Sequence, residues 1–170
     1  KYEYFIRKSA GLGKSPKVAD PDIYEHNYIH CDVLVIGAGI SGIIAAKMAA
    51  KNGFKTLLVD EKSYLGGSSI YDNSEFSKIN NQIISSWLEK EINEISKLEN
   101  LEIKTRTSVA AFHGYNFLLA RENLTDHLPI NQRENKVRQR LLKIRAKKVI
   151  TATGSIERPL IFDNNDRPGI

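Results

Sequence analysis

Three glycines and one acid carry the clearest chemistry in this sequence of 170 residues. The segment Gly37-Ala-Gly39-Ile-Ser-Gly42 has the spacing G-x-G-x-x-G, and Asp60 follows its last glycine by 18 residues. In a dinucleotide-binding unit the first glycine permits a tight turn and the second lets a pyrophosphate approach the backbone. The third lets a helix pack closely on the sheet. The acid accepts hydrogen bonds from the adenosine ribose hydroxyls. The spacing therefore predicts an adenine-dinucleotide site.

The segments around this glycine turn predict the elements that must position it. The apolar run Val33-Leu-Val-Ile36 precedes the turn and indicates a buried strand, and apolar residues at helical spacing follow it over about residues 41–52. Gly53 is typical of a helix end, and Lys55-Thr-Leu-Leu-Val-Asp60 predicts a second strand that ends on the acid. The order is that of a βαβ unit over residues 31–60, whose helix N-terminus points at the phosphates.

The acid also restricts the cofactor. A carboxylate beside the ribose repels a 2′-phosphate, so Asp60 disfavours NADP unless Lys62 turns inward to compensate. NAD and FAD both present a free 2′-hydroxyl, and the acid therefore does not separate them.

Beyond the acid, the sequence predicts a loop containing Gly66-Gly-Ser-Ser69 and then an amphipathic helix over residues 77–98 that places Trp87 in the core. Strand-forming residues follow in several short stretches. The predicted strands are 101–109, then an antiparallel meander of 110–113, 116–121 and 138–146, and a last strand 148–151 that leads into Ala152-Thr-Gly154.

This order predicts an α/β fold: a Rossmann-like FAD/NAD(P)-binding domain of the two-dinucleotide-fold flavoprotein type, with an inserted antiparallel β-meander. A plain NAD dehydrogenase domain would continue with alternating strands and helices after its third strand. Small residues after the last strand let the backbone lie beside a cofactor. From the residues alone, FAD is favoured over NAD. We expect a linker over residues 1–30 and the domain over residues 31–170, as an incomplete part of a longer chain.

Composition disfavours several other functions. The net charge is +5, and much of the excess lies between Arg133 and Lys148, where charged and apolar residues alternate as in a strand with one solvated face. No aromatic residues interleave with the charges, so nucleic-acid binding is not expected. The single cysteine, Cys31, excludes an internal disulfide or a cysteine-cluster metal site and is expected to be buried. No apolar run approaches the roughly 20 residues of a membrane span. A cytoplasmic protein without a metal site is therefore expected.

Three segments resemble the α subunit of heterotetrameric sarcosine oxidase, near the start of its dinucleotide-binding domain. The first is Ile6-Arg-Lys-Ser-Ala-Gly-Leu-Gly13 with Asp20-Pro-Asp22, and the second is the glycine fingerprint preceded by His30-Cys-Asp. The third runs over residues 144–160, including Glu157-Arg-Pro159, and continues in Asp166-Arg-Pro-Gly169. A generic flavoprotein fold does not explain this third segment. We expect Glu157 and Arg158 to form a structural ion pair or an interdomain contact.

The resemblance implies the cofactor-binding part of an enzyme that oxidatively demethylates sarcosine to glycine and reduces oxygen to hydrogen peroxide. It implies NAD in this fold, with FAD at this site as the alternative, a catalytic FAD on the β subunit and an FMN between α and β. It also implies β, γ and δ subunits as partners and a small amine as substrate. By position, it implies cofactor contacts from Gly37, Gly39, Ser41, Gly42, Asp60, Glu61, Lys62, Gly67, Ser68, Val109, Ala152, Thr153 and Gly154.

Other functions remain open at this point. The chain shows no catalytic constellation, since its four histidines are scattered without metal-ligand spacing, and the segment alone is expected to be inactive. One alternative is a subunit of another amine or opine oxidase, or a pyridine-nucleotide–flavin reductase with the same fold. A second is a non-catalytic dinucleotide module that stabilises the assembly of subunits.

Overall fold

The computed structural model describes residues 2–11, 17–71, 77–155, 158 and 160–167. Gly13, Glu157, Pro159 and Gly169, which belong to the segments named above, lie outside the described residues, and so does the expected pairing of Glu157. The helices are α1 (Glu3–Ser9), α2 (Ile40–Lys51), α3 (Ile84–Ile95) and α4 (Ile130–Arg133), with short 3-10 helices at Gly67–Tyr71 and Gly114–Asn116. The strands are β1 (Ile23–Ile36), β2 (Thr56–Val59), β3 (Lys78–Ile79), β4 (Gln82–Ile83), β5 (Leu101–Lys104), β6 (Thr107–His113), β7 (Phe117–Asn123) and β8 (Val137–Thr151).

Six of these strands form one sheet, in the order β5-β2-β1-β8-β7-β6. The pairs β5–β2, β2–β1 and β1–β8 are parallel, whereas β8–β7 and β7–β6 are antiparallel. The first four strands thus have the order of a Rossmann half-sheet, and the last two with β8 form the meander. The predicted α/β fold, its βαβ unit and its inserted meander are confirmed.

The sheet is buried on both faces at β2 and at the C-terminal part of β1, which explains why these strands read as continuous apolar runs. All four residues of β2 are buried. One core lies between the sheet and helices α2 and α3, and it includes Val35, Ile43, Leu58, Trp87 and Ile95. The second core lies on the side of the meander, and it includes Leu34, Val59, Leu118, Leu142 and Ile144. The prediction that Trp87 belongs to the core is confirmed.

Two strands are longer than the sequence predicts. β1 begins at Ile23, inside the segment predicted as a linker, and β8 is one strand where two were predicted. The cause is pairing between distant segments: β8 bonds to β1 along its whole length and to β7 over residues 139–145. Ion pairs reinforce this pairing, since Arg140 of β8 contacts both Glu25 of β1, at 2.8 Å, and Glu122 of β7, at 3.0 Å.

Left-handed backbone conformations account for two further corrections. The helix predicted over residues 77–98 begins only at Ile84, because β3 and β4 form a hairpin whose two turn residues, Asn80 and Asn81, have φ of 50° and 63°. The strand predicted over residues 101–109 is interrupted at Arg106, whose φ is 52°. The chain leaves the parallel sheet at this point and enters the meander. In the described part of the chain, no helix has the length and apolar character needed to cross a membrane.

Candidate dinucleotide-binding site

The glycine turn lies where the carboxyl ends of three parallel strands meet. The Gly37 N–H donates to the carbonyl oxygen of Val59 at the end of β2, at 2.8 Å. The Ala152 N–H, just beyond β8, donates to the carbonyl oxygen of Ile36 at the end of β1, at 2.7 Å. Ligands of open α/β sheets bind at this kind of position, outside the carboxyl ends of the strands where the chain connections diverge.

The packing of the protein itself requires glycine at two of the three fingerprint positions. Gly37 has a φ of 98°, and a Cβ placed there would lie 2.8 Å from the carbonyl carbon of Ala152. A Cβ at Gly42 would lie 3.0 Å from the carbonyl carbon of Gly37. These two glycines therefore let the turn, the first turn of α2 and the end of β8 come together.

Gly39 differs from the other two glycines. Its φ of −71° and ψ of −176° are accessible to any residue, and a Cβ there would meet no atom within 4 Å beyond its own backbone neighbours. Nothing in the described part of the protein requires glycine at this position. A phosphate that approaches the backbone gives a physical reason for it.

Gly39 is also the N-cap of α2, and as a glycine it has no side chain to cap the first N–H groups of the helix. The first N–H that bonds back within the helix is that of Ile43, which donates to the Gly39 carbonyl at 2.9 Å. The N–H groups of Ile40, Ser41 and Gly42 thus have no partner within the helix. Such N–H groups and the positive end of the helix dipole form an anion-binding position.

The Asp60 carboxylate is buried and fixes the glycine turn through hydrogen bonds to the backbone. Its Oδ2 accepts the Ala38 N–H at 2.6 Å, and its Oδ1 accepts the Lys62 N–H at 2.7 Å. Its main chain also contacts the start of the meander, because the Asp60 carbonyl accepts the Thr107 N–H at 2.7 Å. Sequence reasoning assigned Asp60 only to the ribose and missed this role in fixing the turn. The neighbouring side chains of Glu61 and Lys62 are exposed.

The loop after β2 lies directly over the turn. The Gly66 N–H donates to the Ala38 carbonyl at 2.7 Å. Gly67 has a φ of 58°, and a Cβ there would lie 3.2 Å from the Cα of Gly39. The Ala38 N–H is therefore held by Asp60 and the Ala38 carbonyl by this loop, in which Ser68 is exposed.

The segment after β8 meets the turn from the opposite side. Ala152 lies against Gly37 and Gly42, and the Cα of Thr153 would lie 3.2 Å from a Cβ at Gly37. Gly154 has a φ of 70° and open space around it. The structure thus brings Ala152 and Thr153 to the glycine turn, and the contact of residues 152–154 with a dinucleotide stays a prediction. Val109 instead pairs with Ala120 and is half-buried against the core on the meander side, so its contact with adenine stays a prediction.

The described residues form neither a nucleophilic cysteine site nor a metal site. Cys31 is buried at the start of the core part of β1, and burial raises the pKa of its thiol to about 11. A thiol of this kind is protonated near neutral pH and is a poor nucleophile. In residues 2–155, apart from 12–16 and 72–76, no group of three or more His, Cys, Asp or Glu side chains is arranged to hold a metal ion.

Taken together, the sheet order, the three-glycine turn into α2 and the buried acid after β2 define a Rossmann-type dinucleotide-binding domain. A family model described as FAD dependent oxidoreductase matches residues 32–152. The chain belongs to this family of FAD dependent oxidoreductases, and the family supports FAD binding.

Within this family, the chain is similar to the α subunits of sarcosine oxidases. The chain is 39% identical over 169 residues to sarcosine oxidase subunit alpha of Rhizobium meliloti (strain 1021), which covers 99% of the chain and 17% of that protein. It is 38% identical over 160 residues to sarcosine oxidase subunit alpha of Corynebacterium sp. (strain P-1), over 94% of the chain and 16% of that protein. The chain thus spans about one sixth of these relatives, and the resemblance seen in the sequence is confirmed.

Solved structures agree with this fold. The chain superposes on L-proline dehydrogenase from P. horikoshii with a TM-score of 0.64 at 28% identity. The match covers 85% of this chain and 27% of that one.

Proposed function

We propose that this chain is the adenine-dinucleotide-binding part of a multi-subunit oxidoreductase that oxidatively demethylates sarcosine to glycine and reduces oxygen to hydrogen peroxide. Similarity to sarcosine oxidase α subunits over nearly the whole chain supports the reaction. Membership of a FAD dependent family supports redox chemistry. The observation that carries the binding role is Gly39, a glycine that no packing contact in the described residues requires and beside which a ligand has open space.

In this proposal the residues around the turn have separate roles. The free N–H groups of Ile40, Ser41 and Gly42 receive the pyrophosphate, and the open space beside Gly39 admits it. The loop at Gly67 and Ser68 and the segment 152–154 flank it on either side. Oxidation of the amine is the chemistry of the flavin, and this chain supplies binding and orientation.

We assign the two adjacent acids different roles. Asp60 is buried and already accepts two backbone N–H groups, so its first role is to hold the turn in its binding shape. Glu61 is exposed, and its free carboxylate is placed next in sequence to accept the ribose hydroxyls. Either carboxylate repels a 2′-phosphate, which favours NAD or FAD over NADP.

For the cofactor we propose NAD in this fold, with the catalytic FAD on a β subunit and an FMN between α and β, as the resemblance to sarcosine oxidase implies. The family description instead supports FAD, which remains the alternative occupant. The proposal includes β, γ and δ partner subunits, a small amine substrate and a cytoplasmic location.

Nucleotide extraction tests this proposal. The full-length chain is purified with its partner subunits, the non-covalent nucleotides are released by acid, and their identity and stoichiometry are measured by mass spectrometry. The expected result is one NAD per α chain, which a Gly39→Ala variant loses. A second FAD in place of NAD, beyond the one proposed on the β subunit, would overturn the cofactor assignment. If the Gly39→Ala variant lost no dinucleotide, the binding role would be overturned.

A turnover assay tests the reaction. Peroxide production and, in parallel, reduction of an artificial electron-acceptor dye are measured with sarcosine and with L-proline, because the fold is shared with an L-proline dehydrogenase, whose electrons need not pass to oxygen. Faster oxidation of sarcosine is expected. Preference for L-proline would indicate another amine-oxidising enzyme. Unchanged turnover in Gly39→Ala, together with weaker assembly, would indicate a non-catalytic module that stabilises the subunits.

A further inference from the structure

The N-terminal half of β1 leaves one edge of the sheet open. β2 pairs with β1 only over residues 33–36, and in the described residues no strand pairs with the same edge over residues 23–30. Edges of this length offer unpaired N–H and C=O groups to other chains, and proteins usually block them with Pro, Lys or bulges. The segment Ile23-Tyr-Glu-His-Asn-Tyr-Ile-His30 contains no Pro or Lys, and its one irregularity lies between Ile23 and Tyr24. The edge is open to strand addition.

The sheet face beside this edge combines basic and aromatic side chains. Register places Tyr28 of β1 opposite Lys143 of β8, and Phe117 of β7 opposite Arg145 of β8. The Lys143 Nζ lies 4.8 Å from the centre of the Tyr28 ring, and the Arg145 guanidinium lies 5.1 Å from that of Phe117. These pairs join neighbouring strands, so the sequence showed no interleaving of charge and aromatic residues although the folded sheet has it.

The positive charges of this face lack acidic partners. Arg121, Lys143 and Arg145 take part in none of the ion pairs found among the described residues. The nearby acids Glu25 and Glu122 lie on the other face, where they bind Arg140. Arg121 also lines a shallow cavity of about 290 Å³ at the rim of this face, together with Tyr24, Leu141 and the residues Glu25 and Arg140.

We propose that the β1 edge (residues 23–30) and the basic face (Tyr28, Arg121, Lys143, Arg145) form a docking surface for an extended acidic segment of a partner subunit. Such a segment adds a strand to β1, as in β-augmentation. The added strand lies about 4.8 Å from β1 and about 10 Å from β8, within the combined reach of a glutamate and a lysine side chain. The docking proposal rests on the proposed membership of a multi-subunit enzyme.

Hydrogen exchange on the full-length chain tests the strand addition. Amide exchange over residues 23–30 is compared between the full-length chain alone and the complex with the co-expressed β, γ and δ subunits. Added strand hydrogen bonds are expected to slow exchange in this segment at least tenfold. An assembled complex in which these amides exchange as fast as in the free chain overturns the docking proposal and leaves the proposed function standing.

Charge reversal tests the acidic partner. The double variant Lys143→Glu, Arg145→Glu is expected to weaken assembly at least tenfold, as measured by native mass spectrometry over a dilution series. The control is Lys90→Glu, Lys97→Glu, which changes charge equally at exposed positions in and just after α3 and is expected to leave assembly unchanged. Equal assembly of the two double variants contradicts the docking proposal.

Two other occupants give distinct results. Binding of a mixed-sequence single-stranded oligonucleotide that displaces the partner subunits would replace the proposal with a nucleic-acid surface. Concentration-dependent dimerisation of the full-length chain that protects residues 23–30 would assign the edge to a second copy. A chain that purifies with no partner subunit at all contradicts the docking proposal and the proposed function together.

Discussion

Replacement of single glycines by alanine distinguishes a glycine that ligand binding requires from a glycine that packing within the protein requires. Gly39→Ala places a methyl group in open space at an ordinary φ, so the free energy of unfolding is expected to change by about 0.5 kcal/mol or less. Gly37→Ala forces a left-handed φ, at about 1–2 kcal/mol, and overlap with Ala152, at about 1–3 kcal/mol. The second variant is therefore expected to lose about 2–5 kcal/mol of stability.

Gly39→Ala, the variant expected to keep its stability, is expected to lose affinity for the dinucleotide. A methyl group at Gly39 moves the pyrophosphate away from the N-terminus of α2 and removes at least one charged hydrogen bond, at about 1.5–3 kcal/mol. The dissociation constant of the full-length Gly39→Ala protein for its dinucleotide is thus expected to rise about 10- to 150-fold.

Two assays on the full-length protein measure these quantities. Urea denaturation gives the free energy of unfolding, and isothermal titration of nucleotide-free protein with NAD and with FAD gives the affinity. Wild-type affinity in Gly39→Ala would refute the reasoning, because the ligand would then not approach the turn. Wild-type stability in Gly37→Ala would show that the packing of residue 152 against the turn is wrong.

Three further predictions concern the surroundings of the turn. Asp60→Asn presents an amide donor to backbone N–H groups, and the free energy of unfolding in urea should fall by about 1–3 kcal/mol. Glu61→Gln should keep its stability and should discriminate less between NAD and NADP in titrations. Equal stability of both variants would count against the different roles of the two acids. Because burial raises the pKa of Cys31 from 9.0 to about 11, the unfolded thiol ionises first, and stability relative to Cys31→Ala should be constant below pH 9 and fall between pH 9 and 11. A flat difference across that range would disprove the burial effect. Trp87→Ala should cost about 3–5 kcal/mol by cavity formation, and a loss below 1 kcal/mol would contradict its place in the core.

The sequence predicts the parts of this fold that depend on local pattern. The helix predicted over residues 41–52 is found at Ile40–Lys51, and the buried strands on either side of it are found as well. The extent of β1 and β8 depends instead on which distant segments pair, and no local periodicity encodes that pairing. The hairpin at Asn80 and Asn81 did carry a turn signal, but the helical spacing of the apolar residues after it hid that signal.

The site shows the same division. Residue types and spacing are sufficient to locate the three glycines and the acid. They do not show that two of the glycines serve packing and that Gly39 alone has open space, because that difference depends on the position of Ala152 across the sheet. They also do not show that both Asp60 oxygens accept backbone N–H groups, because these contacts form only when the turn closes on β2.

The proposed function depends on an adenine dinucleotide that binds at the glycine turn. A crystal structure of the full-length protein, isolated without added nucleotide and then soaked with NAD, tests it most directly. Pyrophosphate oxygens are expected within about 3 Å of the N–H groups at Ser41 and Gly42, with the ribose beside Glu61. A dinucleotide bound elsewhere, with the space beside Gly39 filled by solvent alone, would contradict it.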